Sequence, residues 1–340
     1  MKIGLALPHY DFSAPDEAPV SWERLAEVTR RAETLGLDSV WISDHFFLTL
    51  ERYGGGGDQA YGSPEALSAL AALAAITERV RLGTLVLCAG FRHPALLAKS
   101  AVTIDLLSGG RLDLGLGAGW MEKEYRAFGY EFRDPAHRFE VLEETLVALG
   151  LLFGEGPATW EGRHFRLHEA YARPRPAQEP RPPLWVGGKG GPRILRLVAR
   201  HADGWNTVWA WTPEAYGDRA RALDRACERE GRDPSAVRRS VGLYTLIGED
   251  QGDLAARYRA LQSWTPGDGL GGQSLAEWGR DKLVGTPEQV LDRLAAFAEH
   301  GVEEVICSLA SLPFALYDDS ALDLLAETVV PAARKLEPPR

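Results

Sequence analysis

Cysteine is scarce. The 340-residue chain has three, Cys88, Cys227 and Cys307, far apart and without a CxxC pair. That spacing argues against a disulfide scaffold or a cysteine zinc site and leaves small core or surface residues. Long hydrophobic runs are also missing. No stretch reaches the ~18 consecutive apolar residues of a membrane-spanning helix. The opening MKIGLALPHY lacks the basic segment, apolar stretch and cleavage site of a secretory leader. A reducing, cytoplasmic setting is the expectation. Basic blocks are absent too, and the formal net charge is −10, which argues against nucleic-acid or anionic-membrane partners. Two catalytic or cofactor strings are missing as well. There is no GxSxG elbow, and no G-x-G-x-x-G follows the first predicted strand, as a Rossmann domain needs. GLGAG does occur, but with G-x-G-x-G spacing and after the fourth predicted strand.

What the chain has is alternation. Residues 80–87 are apolar and β-branched, a helical run follows from 94 to 107, Gly109-Gly110 stops it, and a second apolar run at 112–116 ends in Gly117-Ala118-Gly119. Strand, helix and strand joined in this way place the strand ends on one rim of a parallel sheet. The same rhythm recurs along the chain. Strands are predicted at 3–7, 38–42, 80–87 and 112–116, then in PLWVGG, DGWNTV, RRSVGLYTLIG and VEEVICSLA. Eight strand–helix units predict a (β/α)8 TIM barrel, one domain over 1–340, with insertions after strands 2, 4 and 7. The irregular insertions fall near 49–63, 154–182 and 249–280. The first, with Gly54–Gly57, reads as a mobile lid or plain disorder. The second contains an alternating stretch with a turn at Glu161-Gly162, a surface hairpin. Ser21 is placed to cap the first helix, with Arg24 where a capping box would need Glu or Gln.

Active sites of such barrels lie at the C-terminal strand ends. Asp44 and His45 end the second strand. A histidine there suits proton transfer, and Asp44 is placed to orient a partner loop or tune the local charge; a buried, purely structural histidine is the other reading. Gly117, Ala118 and Gly119 let a flat ligand lie against the backbone, or simply pack a helix closely. Gly187, Gly188, Lys189 and Gly190 precede a helix that starts near Arg193, an arrangement that binds phosphate through free amides or is only a glycine turn. Glu122 with Glu124 lacks the setting of a glycosidase pair. His164 and His168 are four apart on a predicted hairpin, ~13 Å along a strand and too far to share an ion, so no metal site is expected.

In order and spacing, five strings resemble the bacterial luciferase-like superfamily of flavin and deazaflavin oxidoreductases. They are LGLDSVWISDHF, TERVRLGTLVL, HPALLAKSAVTIDLLSGGRLDLGLGAGW, EYRAFGYEF with RFE downstream, and PLWVGGKGGPRILRLVARHADGWN. The resemblance covers nearly the whole chain. It implies a non-prolyl cis peptide in a third-strand bulge, at Leu85-Val86, behind the cofactor ring. It implies that Asp44, His45, Ala118 and Gly119 approach that ring, and that Gly187–Gly190 with Arg193 hold the cofactor phosphate. SDHF and GxGW…EY look like the branch that uses coenzyme F420, a deazaflavin hydride carrier, with FMN and a monooxygenase reaction as the alternative. His45 is then the candidate acid/base. Trp120 stands where the family's sugar-phosphate dehydrogenases carry an acidic residue, so Trp120, Phe46 and Tyr10 are expected to form a less polar substrate pocket for a small molecule. A homodimer is implied, as is an F420-reducing enzyme as indirect partner.

Overall fold

In the computed structural model, residues 1–13, 19–54, 58–267 and 269–337 are described. Eight parallel strands close on themselves: β1 (Lys2–Ala6), β2 (Ser39–Ile42), β3 (Arg81–Thr84), β4 (Leu112–Gly117), β5 (Leu184–Gly187), β6 (Gly204–Trp209), β7 (Arg238–Ile247) and β8 (Glu304–Ser308). Each pairs with the next, and β8 returns to β1 with Glu304 opposite Lys2. This is the predicted (β/α)8 barrel. Its strands are buried on both faces, which is why they read as continuous apolar runs and not as alternating ones. Helices cover the outside. The first, Trp22–Thr34, starts where expected, with the Ser21 hydroxyl accepting from the Arg24 amide. No helix among the described residues is long and apolar enough to cross a membrane.

The lower barrel interior is filled by two tryptophans. Trp41 on β2 and Trp185 on β5 meet edge to face at 6.1 Å. Each lies opposite a glycine on the next strand, Gly83 and Gly204. A Cβ on Gly83 would stand 2.1 Å from the Trp41 ring, and one on Gly204 2.2 Å from Trp185. The indole N–H groups are met by buried polar side chains. Trp185 Nε1 donates to Asp113 at 3.0 Å, and Trp41 Nε1 donates to the Ser39 hydroxyl at 2.7 Å, which in turn donates to Glu304. Arg81 and Arg238 complete the Asp113 shell at 2.5 and 2.9 Å. The barrel floor is therefore packed shut, and a ligand has room only above it.

The run at 80–87 breaks after Thr84, at the bulge the resemblance implied; the Leu85-Val86 peptide is cis, and Leu87–Cys88 rejoins β4 opposite Leu116 and Gly117. Two segments differ from the sequence reading. Residues 249–280 are largely helical, not irregular. Asp250 caps a helix at Gln251–Trp264, which buries Leu254, Tyr258 and Leu261 at helical spacing. Ser274 and Glu277 form a capping box for a short helix at Leu275–Gly279. In 49–63, a 3-10 turn at Glu51–Tyr53 and a ribbon of Phe47–Leu48 with Tyr61–Gly62 order the described part. Gly55–Gly57 lie outside the described residues. The expected hairpin in 154–182 is present, Ala158–Glu161 against Arg166–Ala170.

Gly83→Ala should destabilise the fold by roughly 1–3 kcal/mol, the usual cost of overpacking a filled core. Gly150→Ala is the control. That residue is exposed in the helix Pro135–Leu152, and a Cβ there would meet nothing within 4 Å. It should gain about 0.5–1 kcal/mol. Urea unfolding midpoints of the two variants check both signs.

Candidate active site

A cavity of about 670 Å³ opens at the C-terminal ends of the strands. This size suits a drug-sized ligand. Its wall begins with the SDH segment after β2. Asp44 is buried and fully engaged. Its Oδ2 accepts from the Cys88 amide at 2.9 Å and from Arg92 Nη1 at 2.6 Å, and its Oδ1 accepts from Arg92 Nη2 at 2.8 Å. Arg92 also pairs with Glu65. Asp44 thus ties the end of β2 to the chain just past the third-strand bulge.

His45, the next residue, turns into the cavity. Its Nδ1 lies 2.9 Å from Glu124 Oε2, and the other Glu124 oxygen accepts from the Phe46 amide. Glu124 is 1% exposed, on the first turn of the short helix Glu122–Ala127 that follows β4. Trp120 sets its ring edge to face against His45 at 5.6 Å, and Arg52 lies over Trp120 at 4.5 Å. The cavity therefore holds a histidine with one nitrogen fixed by a buried carboxylate, between a tryptophan and the barrel mouth. That pair can hold or pass a proton.

The opposite wall is backbone. Val86 fills the space beside Gly117 and Gly187, where an added Cβ would lie 2.7 Å from its methyls in each case. Gly119 has φ +75°, and a Cβ there would stand 2.2 Å from the Tyr125 hydroxyl and 2.7 Å from Cys88 Sγ. Cys88 lines the cavity, but burial pushes its thiol up to about 12, so it is a neutral wall group. Lys189 stands at the rim. Its ammonium donates to the Val208 carbonyl and lies 5.3 Å from the Trp211 ring. Desolvation, then the Arg52 charge, lowers its pKa from the ordinary lysine value. Arg52, Lys189 and Lys282 give the cavity three cations.

At the end of β1 is a buried chain of side chains. Tyr10 lines the cavity and hydrogen-bonds Ser43 Oγ, which lies 3.0 Å from His9 Nε2. His9 Nδ1 is 2.7 Å from the Leu7 carbonyl. Burial lowers the His9 pKa to about 4. Trp209, Tyr244 and Phe314 close this side. Trp209 stacks on Tyr244 at 5.5 Å and meets Phe314 edge to face at 5.1 Å. The Val208-Trp209 peptide is also cis.

Of the residues singled out in the sequence, Tyr10, Asp44, His45, Leu85, Val86, Ala118, Gly119, Trp120, Gly187, Gly188 and Lys189 all line this cavity. Three do not. Phe46, at a bend in the chain, packs on Phe91 and Phe128 at 4.6 and 4.4 Å instead. Gly190 turns away with φ +72° and packs against Trp205 and Arg219. Arg193 stands one ring back, 5.9 Å from Phe139, which does line the cavity. Glu124 was missed. Judged as half of a pair with Glu122, it lacked a setting, but EY four residues past Trp120 sits on the rim that carries barrel chemistry. Also unforeseen, His137, Glu140 and His164 bring ligand-type atoms within 4.8 Å of one another, away from the cavity. The Arg163 guanidinium already holds Glu140 there, at 2.9 Å.

Known proteins resemble this chain in sequence and in fold. The profile of the luciferase-like monooxygenase family matches residues 1–304. An F420-dependent glucose-6-phosphate dehydrogenase of Intrasporangium calvum is 35% identical over 246 residues, which cover 71% of this chain and 70% of that protein. A phthiodiolone/phenolphthiodiolone dimycocerosates ketoreductase of Mycobacterium tuberculosis is 28% identical over 332 residues, covering 83% and 86%. Among solved structures, an F420-dependent secondary alcohol dehydrogenase in complex with an F420-acetone adduct superposes with a TM-score of 0.75 at 22% identity, over 98% of this chain and 99% of that one. A monooxygenase from Streptomyces bottropensis does so with a TM-score of 0.75 at 25% identity, over the same shares.

The buried His9 gives a pH signature. Unfolded, it takes a proton near pH 6.5, while folded it stays neutral down to about 4. Between those values the unfolded chain binds more protons. The His9 contribution to stability is therefore full above pH 6.5 and lost as pH falls, by ~3 kcal/mol in all. The difference between wild type and His9→Gln in urea stability should follow that curve, and a flat difference from pH 7 to 4.5 would contradict it.

Proposed function

The chain belongs to the luciferase-like monooxygenase family, and on that premise we propose that it is an F420-dependent oxidoreductase acting on a small organic substrate at the C-terminal rim of the barrel. The observation that carries this reading is the His45–Glu124 pair facing a wall of glycine backbone and Val86 across one cavity. A flat ring needs a smooth wall on one side and a proton-handling group at its edge, and these residues fit both needs. Bound there, the deazaflavin supplies a two-electron hydride carrier.

The protein's own residues do the rest. Leu85, Val86, Ala118 and Gly119, which line the cavity, would hold the ring. The Lys189 ammonium, beside the Gly187-Gly188 turn, would take the phosphate, with Arg52 and Lys282 adding positive charge, while the Gly188 amide is held by the Asn206 carbonyl. Asp44 acts by position. With both oxygens already taken, it holds the bulge and aims His45. His45 exchanges the proton that accompanies hydride transfer, and Glu124 fixes its Nδ1, leaving Nε2 toward the cavity. Trp120 and the aromatic side chains around Trp209 favour a substrate less polar than a sugar phosphate. The reading includes a cytoplasmic setting, a separate F420-reducing enzyme to restore the cofactor, and a homodimer, for which Leu96, Leu106 and Leu107, exposed on one helix, offer apolar surface.

Cofactor titration tests the reading. Trp120, Trp209 and Trp278 line the cavity, so F420 should quench tryptophan fluorescence at micromolar concentration. Binding of FMN with no response to F420 would favour the monooxygenase alternative and refute this one. His45→Ala should keep F420 affinity but slow turnover by about 10²–10⁴, the usual weight of a general acid/base. Unchanged turnover, on whichever of a panel of secondary alcohols and ketones the wild type accepts, removes His45 from the chemistry.

A further inference from the structure

Four tyrosines, Tyr10, Tyr53, Tyr125 and Tyr244, line the cavity, and the Tyr125 hydroxyl meets Cys88 Sγ at 2.8 Å. Among the described residues no hydrogen-bond partner is recorded for the hydroxyls of Tyr53 and Tyr244. Each can turn to donate or to accept. Tyr10 is different, because its hydrogen has only one place to go.

The direction follows from counting hydrogens along the buried chain. A carbonyl only accepts, so His9 Nδ1, 2.7 Å from the Leu7 oxygen, carries the ring hydrogen. His9 is fully buried and neutral, which leaves Nε2 bare and accepting. Nε2 accepts from the Ser43 amide at 3.3 Å, and Ser43 Oγ, nearer at 3.0 Å, gives its single hydrogen to the same nitrogen. The contact between Ser43 Oγ and the Tyr10 hydroxyl still needs a hydrogen, and only Tyr10 has one left. The chain runs one way, from Tyr10 to Ser43 to His9 to Leu7.

We propose that Tyr10 is a fixed hydrogen-bond acceptor in the cavity, and that it selects a ligand group that donates, a hydroxyl, over the carbonyl of the same skeleton. Ser43 and His9 are positioning residues that set this polarity. The skeleton is uncharged and apolar, because Phe314 lies 6.3 Å from Tyr10 and continues into Trp209 and Tyr244. The inference rests on the oxidoreductase reading and adds a direction to it. Oxidation of a secondary alcohol would break its C–H bond, the hydride leaving to a bound deazaflavin, and its O–H bond, the single hydroxyl hydrogen turning from Tyr10 to His45 as the C=O bond forms. The donor that Tyr10 reads is consumed, and the product faces it acceptor to acceptor. The pocket therefore retains the alcohol and releases the carbonyl.

The test uses wild-type protein loaded with oxidised F420 and two probes that cannot react with it. These are 1-methylcyclohexanol, a tertiary alcohol, and cyclohexanone, each titrated by its effect on the bound cofactor's absorbance. The alcohol should bind roughly tenfold more tightly, the scale of one mispaired buried hydrogen bond. Tyr10→Phe and Ser43→Ala should bring the ratio close to one, and Ser43→Thr should restore it. A merely structural role would weaken both probes alike and leave the ratio standing. An unchanged ratio in Tyr10→Phe, equal binding by the wild type, or no binding of either probe overturns the proposal. Nitrogen NMR of His9 needs no cofactor and so separates this failure from failure to bind F420. A neutral Nδ1–H tautomer at pH 7 is expected, and an Nε2–H tautomer or an imidazolium overturns the chain's direction.

Discussion

The site depends on one buried carboxylate. Asp44 accepts from the Cys88 amide and from both terminal nitrogens of Arg92, so a single side chain joins the end of β2 to the segment beyond the third-strand bulge. A buried ion pair of this kind is costly to break, because the partner left behind keeps its charge without compensation. The pair is therefore a strong constraint on geometry, whatever its net contribution to stability. With Asp44 held by Arg92 and the Cys88 amide, His45 stands beside it in the cavity wall and Phe46 packs away on Phe91 and Phe128. Glu124 then closes the arrangement from the next strand's loop, taking His45 Nδ1 with one oxygen and the Phe46 amide with the other. Three consecutive residues are fixed by two side chains, Arg92 and Glu124, from different parts of the chain.

The rest of the barrel decides where a ligand can go. Two tryptophans, each seated against a glycine of the neighbouring strand, fill the lower interior, and Asp113 and Ser39 satisfy their indole nitrogens. Above them Val86 presses against Gly117 and Gly187, which leaves a wall with no protruding side chain. The cavity above this floor is chemically divided. Arg52, Lys189 and Lys282 line it with positive charge, while Tyr10, Trp209, Tyr244 and Phe314 form an aromatic corner. Across its mouth two loops meet at Gly54 and Gly269, so closely that a Cβ on Gly54 would stand 3.0 Å from the Gly269 backbone.

The barrel was legible in the sequence because parallel strands buried on both faces leave apolar runs, and glycines and caps mark the helix ends between them. The site was legible to the extent that it lies on strand ends. Tyr10, His45, Ala118, Gly119 and Lys189 follow directly from their places after β1, β2, β4 and β5. What escaped was set by tertiary contact. Glu124 looks like any helical glutamate until His45 lies 2.9 Å away, and Arg92 like a loop cation until it grips Asp44. Gly190 and Arg193 belong to the expected phosphate turn, but the chain swings outward one residue too early for them. The helix Gln251–Trp264 was hidden by a glycine-rich neighbourhood, although Asp250 and the spacing of Leu254, Tyr258 and Leu261 did encode it.

The central claim is that this rim seats a deazaflavin between the Val86 wall and the His45–Glu124 pair. A crystal structure of the protein with oxidised F420 tests it most directly. The account predicts the ring over Leu85 and Val86, with His45 at its reactive edge and the phosphate on the Gly187–Lys189 turn. A ring bound elsewhere, or one whose face is separated from His45 by another side chain, would contradict it.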